Sequence, residues 1–311
     1  MEYVCVVGGA NNDLQGFPNG IFKPCDSNPG FIKVSAGGVG RNISENLERM
    51  GCRTKLITAI GDDLYGNKIR LEAESTNIDM SDTFVIKGQS TSTYMCILDQ
   101  DGEMVAAISQ MDIYNHLTVD MIKTKKSVIE NSRVCVLDTN LREDVINYIL
   151  NNCRKVDFFV DTVSTTKAMK IKKNIGRFHT LKLNKIEAEM LSDIRINGLE
   201  DLPKVVQFFL SKGVSQVFIT LGKEGVYYSD GKIMNHLPQP EIKLVNATGA
   251  GDAYMAALVF SYLEGYEINF SAKFATAAAI LALSHENTIN PNINLDAIND
   301  KMEELKLQPK W

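Results

Sequence analysis

Short apolar runs and amphipathic stretches alternate along most of this 311-residue chain. Runs at 133–137, 157–161, 179–183 and 216–220 have the length and boundaries of buried strands. Between and around them, helical periodicity covers 118–130, 142–153, 185–192 and 200–212. Strands that alternate with helices in this way predict a parallel sheet covered on both faces. The first strand is Tyr3–Val7. Ile43, Leu47 and Met50 then recur at i, i+4 and i+7, and Gly51 ends that helix. Lys55–Ile60 reads as a strand, with Gly61-Asp62-Asp63 capping the helix behind it. Helices are also expected from Ala253 through Ser261, over 271–283 and at about 295–305.

Two stretches break the alternation. Residues 14–36 are interrupted by Pro and Gly, hold the strand candidate Phe31–Val34 and fit no helix. Residues 83–113 hold Thr91–Leu98 and Met104–Ile108 around Asp99-Gln100-Asp101-Gly102, whose Asp-Gly is a hairpin signal. Together they predict a small separate β-sheet, from about 14–36 and 89–113. It would lie as a lid over the open end of the main sheet of one domain spanning 1–311.

Composition narrows the partners. Hydrophobic residues make up 44% and charged residues 23%, with a net charge of −5 and no Lys/Arg block. That argues against a nucleic-acid or anionic-membrane surface. No apolar run has the length of a membrane span, and no basic leader precedes the first strand, so a cytoplasmic location is expected. None of the six cysteines has CxxC spacing and none of the four histidines has metal-ligand spacing, so structural roles are expected for both.

The chemistry concentrates at strand ends and helix starts. Asn246-Ala247-Thr248-Gly249-Ala250-Gly251-Asp252 follows a short apolar run and opens a helix. Its uncovered backbone N–H groups would carry the positive end of a helix dipole, able to hold an anion. Asp252 at its rim is a poor phosphate ligand but a suitable base for an attacking hydroxyl. A plain Gly-rich turn before an acidic helix start explains the same residues. Asn11 and Asp13, at the end of the first strand, suit sugar hydroxyls or an Asx turn. Ser35-Ala36-Gly37-Gly38-Val39-Gly40-Arg41-Asn42 opens a second helix and points the Asn42 amide towards the cleft. It lacks the third glycine of a dinucleotide fingerprint, because Ile43 stands there. Asn184 and Glu187 share a helix face. They fit either a hydrated Mg²⁺ or a helix-capping pair. Thr220, Gly222 and Gly225 fit close approach to a nucleotide or a tight turn.

The order of these pieces resembles the ribokinase-like (PfkB) family of carbohydrate and nucleoside kinases, from residue 3 to about 295. The resemblance implies a three-layer α/β/α fold with a mostly parallel central sheet and a small β-sheet lid. It also implies Asn11, Asp13, Gly37, Gly38 and Asn42 on the ribose, and Asp252 as the base. Gly249, Ala250 and Gly251 would form the anion hole. Lys182, Asn184 and Glu187 would organise the phosphates of ATP, with Glu187 holding Mg²⁺ through water. Thr220, Gly222, Gly225 and the loop around Asn287 would line the nucleotide site. Lys182 reads equally as a solvated lysine at a strand end. Many members carry Asp where this chain has Asn246, so Asn246 leaves dependence on a monovalent cation such as K⁺ open. Gly8–Asp13, Ser35–Leu47, Met111–Thr118, Asp161–Ser164 and Leu181–Glu189 are most similar to the branch that phosphorylates the 5′-hydroxyl of pseudouridine. Ribose, a ketose, a conventional nucleoside or a non-catalytic sensor are the rival readings. In Ser109–Tyr114, Asp112 is the candidate polar contact to the base, or merely part of a turn into a helix. The open edge of the lid sheet predicts a homodimer.

Overall fold

The computed structural model describes residues 2–241 and 248–307. Its main sheet has eight strands, numbered with the others in chain order. Across the sheet these are β14 (Met234–Leu237), β13 (Val226–Ser229), β12 (Gln216–Thr220), β11 (Thr180–Asn184), β10 (Asp157–Asp161), β9 (Val134–Asp138), β1 (Val4–Val7) and β4 (Thr54–Ile57). From β12 to β4 all neighbours are parallel, and only the β12–β13–β14 edge is antiparallel.

The parallel strands are buried on both faces because helices cover each side. Val4, Val6, Leu56, Val134 and Val136 pack towards α1 (Val39–Arg49), α2 (Leu64–Ser75), α9 (Ala250–Leu263), α10 (Ile268–Leu283) and α11 (Leu295–Glu304). Their alternates Cys5, Val7, Ile57, Cys135 and Leu137 pack towards the opposite layer. That layer holds α3 (Val119–Lys123), α4 (Lys126–Glu130), α5 (Glu143–Asn152), α6 (Thr165–Ala168), α7 (Lys185–Ser192) and α8 (Leu202–Ser211). Every residue of α9 from Asp252 to Ser261 is buried, while Gly251 just before them is exposed.

The second sheet comes from the two stretches that break the helical pattern. It runs β3 (Gly30–Gly37), β2 (Asn11–Pro18), β7 (Thr93–Leu98), β8 (Met104–Gln110). Register and the two-residue period divide its faces. Asp13, Ser35, Tyr94 and Ser109 stand in one row, followed on the same face by Gln15 and Lys33. The other face carries Leu14, Val34, Met95 and Ile108, then Ile32 and Ile97. One face is therefore mixed, since Cys96 and the stacked pair Phe17 and Phe31 share it with those polar side chains, and the other is mainly apolar. Ile32 and Ile108 on the apolar face are 70% and 63% exposed.

Three local expectations are corrected. Lys55–Ile60 is not one strand: the chain breaks at Thr58, and β5 (Ala59–Gly61) leaves the main sheet to pair with β6 (Phe84–Ile86). The helix expected over 118–130 is two short ones, α3 and α4, parted at Thr124–Lys125. Thr165–Arg177 is helical where no helix was predicted. Most of it is 3₁₀, with a kink at Asn174, so the 3.6-residue period is lost there.

Candidate active site

The site is built around the N-terminus of α9. Gly249 caps it with φ 82°, and a Cβ there would sit 1.9 Å from the Thr288 carbonyl oxygen, so only glycine fits. Among the described residues none accepts from the N–H groups of Gly249, Ala250 or Gly251. Those donors and the helix dipole make a ready site for an anion.

Asp252 follows in the first turn and is buried. Its Oδ2 accepts from Asn42 Nδ2 at 2.8 Å. Asn42 comes from the first turn of α1, which can approach because Gly38 and Gly40 are bare. A Cβ on Gly38, whose φ is 95°, would meet the Gly9 carbonyl oxygen at 2.6 Å. Arg41 Nη1 donates to Asn42 Oδ1 at 3.4 Å, which fixes the direction of the amide. Burial, and then the charge of Asp161, push the Asp252 carboxyl up to about 7 against the opposing pull of Asn42 and Lys182. Such a carboxylate is tuned towards proton acceptance near neutral pH.

Lys182, in the middle of β11, bridges this cluster. Its Nζ donates to Asp161 Oδ2 at 2.5 Å and to the Gly251 carbonyl at 3.3 Å. Burial works to strip its proton, but Asp161, Asp252 and Glu187 outweigh that and hold it above the usual lysine range. Lys182 is therefore a buried cation in contact with the helix start, not a solvated strand-end lysine.

Asn11 and Asp13 lie not at the end of the first strand but at the start of β2, in the small sheet. Asn11 is buried, and its Nδ2 donates to Asp13 Oδ1 at 2.5 Å. Burial pushes the Asp13 carboxyl up to about 6, with Asn11 and Arg41 opposing it. A Cβ on Gly37 would lie 2.3 Å from Asp13 Oδ2, so Gly37 is bare where the carboxylate turns. Asp138, not singled out from the sequence, holds this end together. Its Oδ2 accepts from the N–H groups of Gly9 at 2.6 Å and Gly40 at 2.9 Å. Its only signal was an acidic residue at the carboxyl end of an apolar strand.

A cavity of about 570 Å³ opens from the same helix start. Ala250, Gly251, Lys182, Thr220, Gly222 and Gly225 line its polar end. Tyr254, Val226, Ala279, Ile280 and Leu283 form an apolar wall that the sequence reading missed. Gly225 must be glycine, since its φ is 95° and a Cβ would meet the Leu237 carbonyl oxygen at 2.1 Å. Gly251 thus faces the cavity, while the next residue, Asp252, faces Asn42.

The remaining candidates scatter more. Asn184 and Glu187 form the capping pair: Asn184 Oδ1 accepts from the Glu187 N–H, and Glu187 Oε2 from the Asn184 N–H, both at 2.9 Å. Asp112 is exposed in the first turn of the 3₁₀ helix Asp112–His116. Its neighbour Tyr114 is buried, and its hydroxyl meets the Ala10 N–H and carbonyl and Ser92. Asn287 is not among the cavity-lining residues; its Oδ1 accepts from Lys33 Nζ of the small sheet at 2.7 Å. Asn246 and the apolar run before it lie outside the described residues.

A mostly parallel sheet between two helical layers, with a smaller sheet beside it, defines the ribokinase-like fold. Ribokinase of Arabidopsis thaliana, solved with ribose and ATP, superposes with a TM-score of 0.85 at 19% identity over 97% of this chain and 99% of its own. The family description "pfkB family carbohydrate kinase" matches residues 1–295, and the chain belongs to that family. Pseudouridine kinase of Escherichia coli K12 is 37% identical over 94% of this chain and 94% of its own length. An uncharacterized sugar kinase of the same strain is 36% identical over 95% of this chain and 82% of its own.

Proposed function

We propose that the chain transfers the γ-phosphoryl group of ATP to the 5′-hydroxyl of pseudouridine. The observation that carries this reading is the placing of Asp252 between two different surroundings. Its neighbour Gly251 opens on the cavity, while its own carboxylate faces Asn42, whose neighbour Arg41 acts on the Asp13 carboxylate. The 37% identity to a pseudouridine kinase supports pseudouridine as the acceptor.

In this reading Asn11, Asp13, Gly37, Gly38 and Asn42 hold the ribose. Asp252 takes the 5′-hydroxyl proton as the O5′–Pγ bond forms. The bond from Pγ to the β,γ-bridging oxygen breaks in line, and its electron pair leaves with ADP. The N–H groups of Gly249, Ala250 and Gly251 receive the charge of the transferring group, and Lys182 adds a fixed cation beside them. The apolar wall of Ala279, Ile280 and Leu283 suits a flat adenine ring, and Thr220, Gly222 and Gly225 leave room for its approach.

Mg²⁺ keeps most of its water and takes few protein carboxylates. Glu187 fits that demand: it is buried beside Lys182, and one of its oxygens already holds the Asn184 N–H. Mg²⁺ there would neutralise phosphate charge. Asn246 keeps an amide oxygen for a monovalent cation but carries no charge. Among the described residues no helix is long and apolar enough to cross a membrane, which is compatible with a cytoplasmic enzyme.

The small sheet acts in this account as a lid. The face that carries Asp13 and Lys33 turns to the acceptor. Its apolar face, with Ile32, Val34, Met95 and Ile108, pairs with a second copy in a homodimer. Asp112 stays a candidate for base contact.

The test is ADP release with Mg-ATP against pseudouridine, uridine, inosine, ribose and fructose. Strong preference for pseudouridine supports the reading. Preference for a sugar keeps the Asp252 chemistry and discards the acceptor. Tight binding without turnover discards the kinase reading.

A further inference from the structure

The ribose cluster and the nucleotide cavity leave one polar group unused. It lies at the ends of β9 and β10, neighbours in parallel register with Asp138 opposite Asp161. Asn140 follows β9, and its Nδ2 lies 2.6 Å from where a Cβ on Gly9 would stand, two residues before Asn11. Lys167 of α6 donates from Nζ to Asn140 Oδ1 at 2.6 Å. Among the described residues, half-buried Lys167 makes no ion pair, and the amide of Asn140 is the polar partner of its side chain. An ammonium group has three donors, so two remain for a ligand. Burial pulls the Lys167 ammonium below the usual lysine range, with Asp138 opposing. A lysine desolvated without a carboxylate partner lacks the compensation that burial normally requires.

The backbone leading to Lys167 is strained. Val163 sits at φ 57°, a left-handed conformation that costs a β-branched residue dearly. The strain is held by Asp161 Oδ1, which accepts from the Val163 N–H at 2.9 Å. It turns the chain so that α6 starts at once, with Ser164 as its cap, and Lys167 reaches back to Asn140. Strain of this kind persists where surrounding structure enforces it, commonly at ligand sites. The stretch Asp161–Ser164 is also one that the sequence set apart, and beyond Asp161, which holds Lys182, phosphoryl transfer does not use it.

We propose that Lys167, positioned by Asn140, reads the heterocycle of the acceptor by donating to a ring carbonyl of a pyrimidine dione. The inference rests on the nucleoside reading of the preceding section. It assigns the base contact to the β9–β10 rim, where neutral carbonyl oxygens match unused ammonium donors. A carboxylate such as Asp112 would instead need a ring N–H.

The test compares wild type, Lys167→Met, Lys167→Arg and Asn140→Ala on two acceptors: pseudouridine, and 1,4-anhydroribitol, which has the ribose ring without a base. Wild type is expected to prefer pseudouridine. Lys167→Met should cut that preference about 10- to 100-fold, through KM more than kcat, as loss of a charged hydrogen bond does. Lys167→Arg should restore part of it, and Asn140→Ala should lose less than Lys167→Met. The KM for ATP and the Tm report whether the variants keep their fold. An unchanged preference in Lys167→Met overturns the proposal, and so does an equal loss on both acceptors. If Lys167→Met does not fold, an unchanged preference in Asn140→Ala overturns it instead. A wild type that uses sugars but no nucleoside is seen before any variant is made, and it overturns the nucleoside reading itself.

Discussion

Asn42 donates its side-chain amide to the carboxylate of Asp252 at 2.8 Å, across 210 positions of sequence. The bond joins the first turns of two helices, α1 and α9, each opened by a glycine with positive φ. It leaves the second carboxylate oxygen of Asp252 for a substrate hydroxyl. Asp252→Asn removes the base but keeps the size and a partner for Asn42. Turnover should fall by about 10²–10⁴-fold. Binding of a non-hydrolysable ATP analogue, followed by calorimetry, should change little. A variant with near-normal kcat would remove Asp252 from the base role.

The pH dependence follows from the raised carboxyl. With Asp252 pushed up to about 7, the free enzyme holds it largely protonated at pH 6 and ionised at pH 8. kcat/KM should therefore rise with pH through about 7. Asp161 contributes to that rise as a like charge, and it also occupies Lys182. Asp161→Asn removes the repulsion and releases the lysine. Both effects favour the ionised form, so the acid limb should move to lower pH. A limb that stayed in place, or moved up, would contradict the charge pairing described here.

The same carboxyl makes a prediction for stability. Its folded pKa lies above the ordinary aspartate value of 3.8. Between these two values the folded state binds the proton that the unfolded state releases, so stability from this group is lost as pH rises from about 4 to 7. Asp252→Asn should accordingly raise the Tm at pH 8, and the gain should shrink as pH falls towards 4. Equal Tm shifts at both ends would show that the carboxylate is not held at a cost.

How much of this was legible in the sequence depends on range. Gly249–Asp252, Gly37–Asn42 and Asn11/Asp13 each act through a local backbone shape, and local residues announce it. The strand–helix alternation gave the sheet because the buried strands are continuous apolar runs. What escaped needed tertiary neighbours. Asp138 became visible only when Gly9 and Gly40 arrived at its oxygens. The break at Thr58 is invisible because a single threonine is ordinary inside a strand, and the partner β6 that draws β5 away is remote in sequence. Thr165–Arg177 escaped because 3₁₀ turns and the kink at Asn174 do not keep the helical period.

Lys33 and Asn287 link the small sheet to the loop whose next residue, Thr288, packs its carbonyl against Gly249. Seating of the sheet is thereby coupled to the anion-binding turn. Lys33→Met should raise the KM for acceptor and for ATP together, by about 3- to 10-fold, the size of one hydrogen bond. Steady-state kinetics with each substrate varied in turn checks this. A change confined to one substrate would show that no such coupling exists.

The apolar face of the small sheet predicts its own partner. Ile32 and Ile108 stand there in the rows set by β2 and β7, widely exposed in one copy. Light scattering on wild type should give a dimer mass, and Ile32→Glu with Ile108→Glu should give a monomer. A monomeric wild type at micromolar concentration would assign that face another role.

The most direct measurement identifies the product. Wild type incubated with Mg-ATP and pseudouridine should yield ADP and a monophosphate whose ³¹P signal couples to the two H5′ protons. Asp252→Asn should yield neither in the same time. A phosphate on a different hydroxyl, or ADP formed without any phosphorylated nucleoside, would contradict the account.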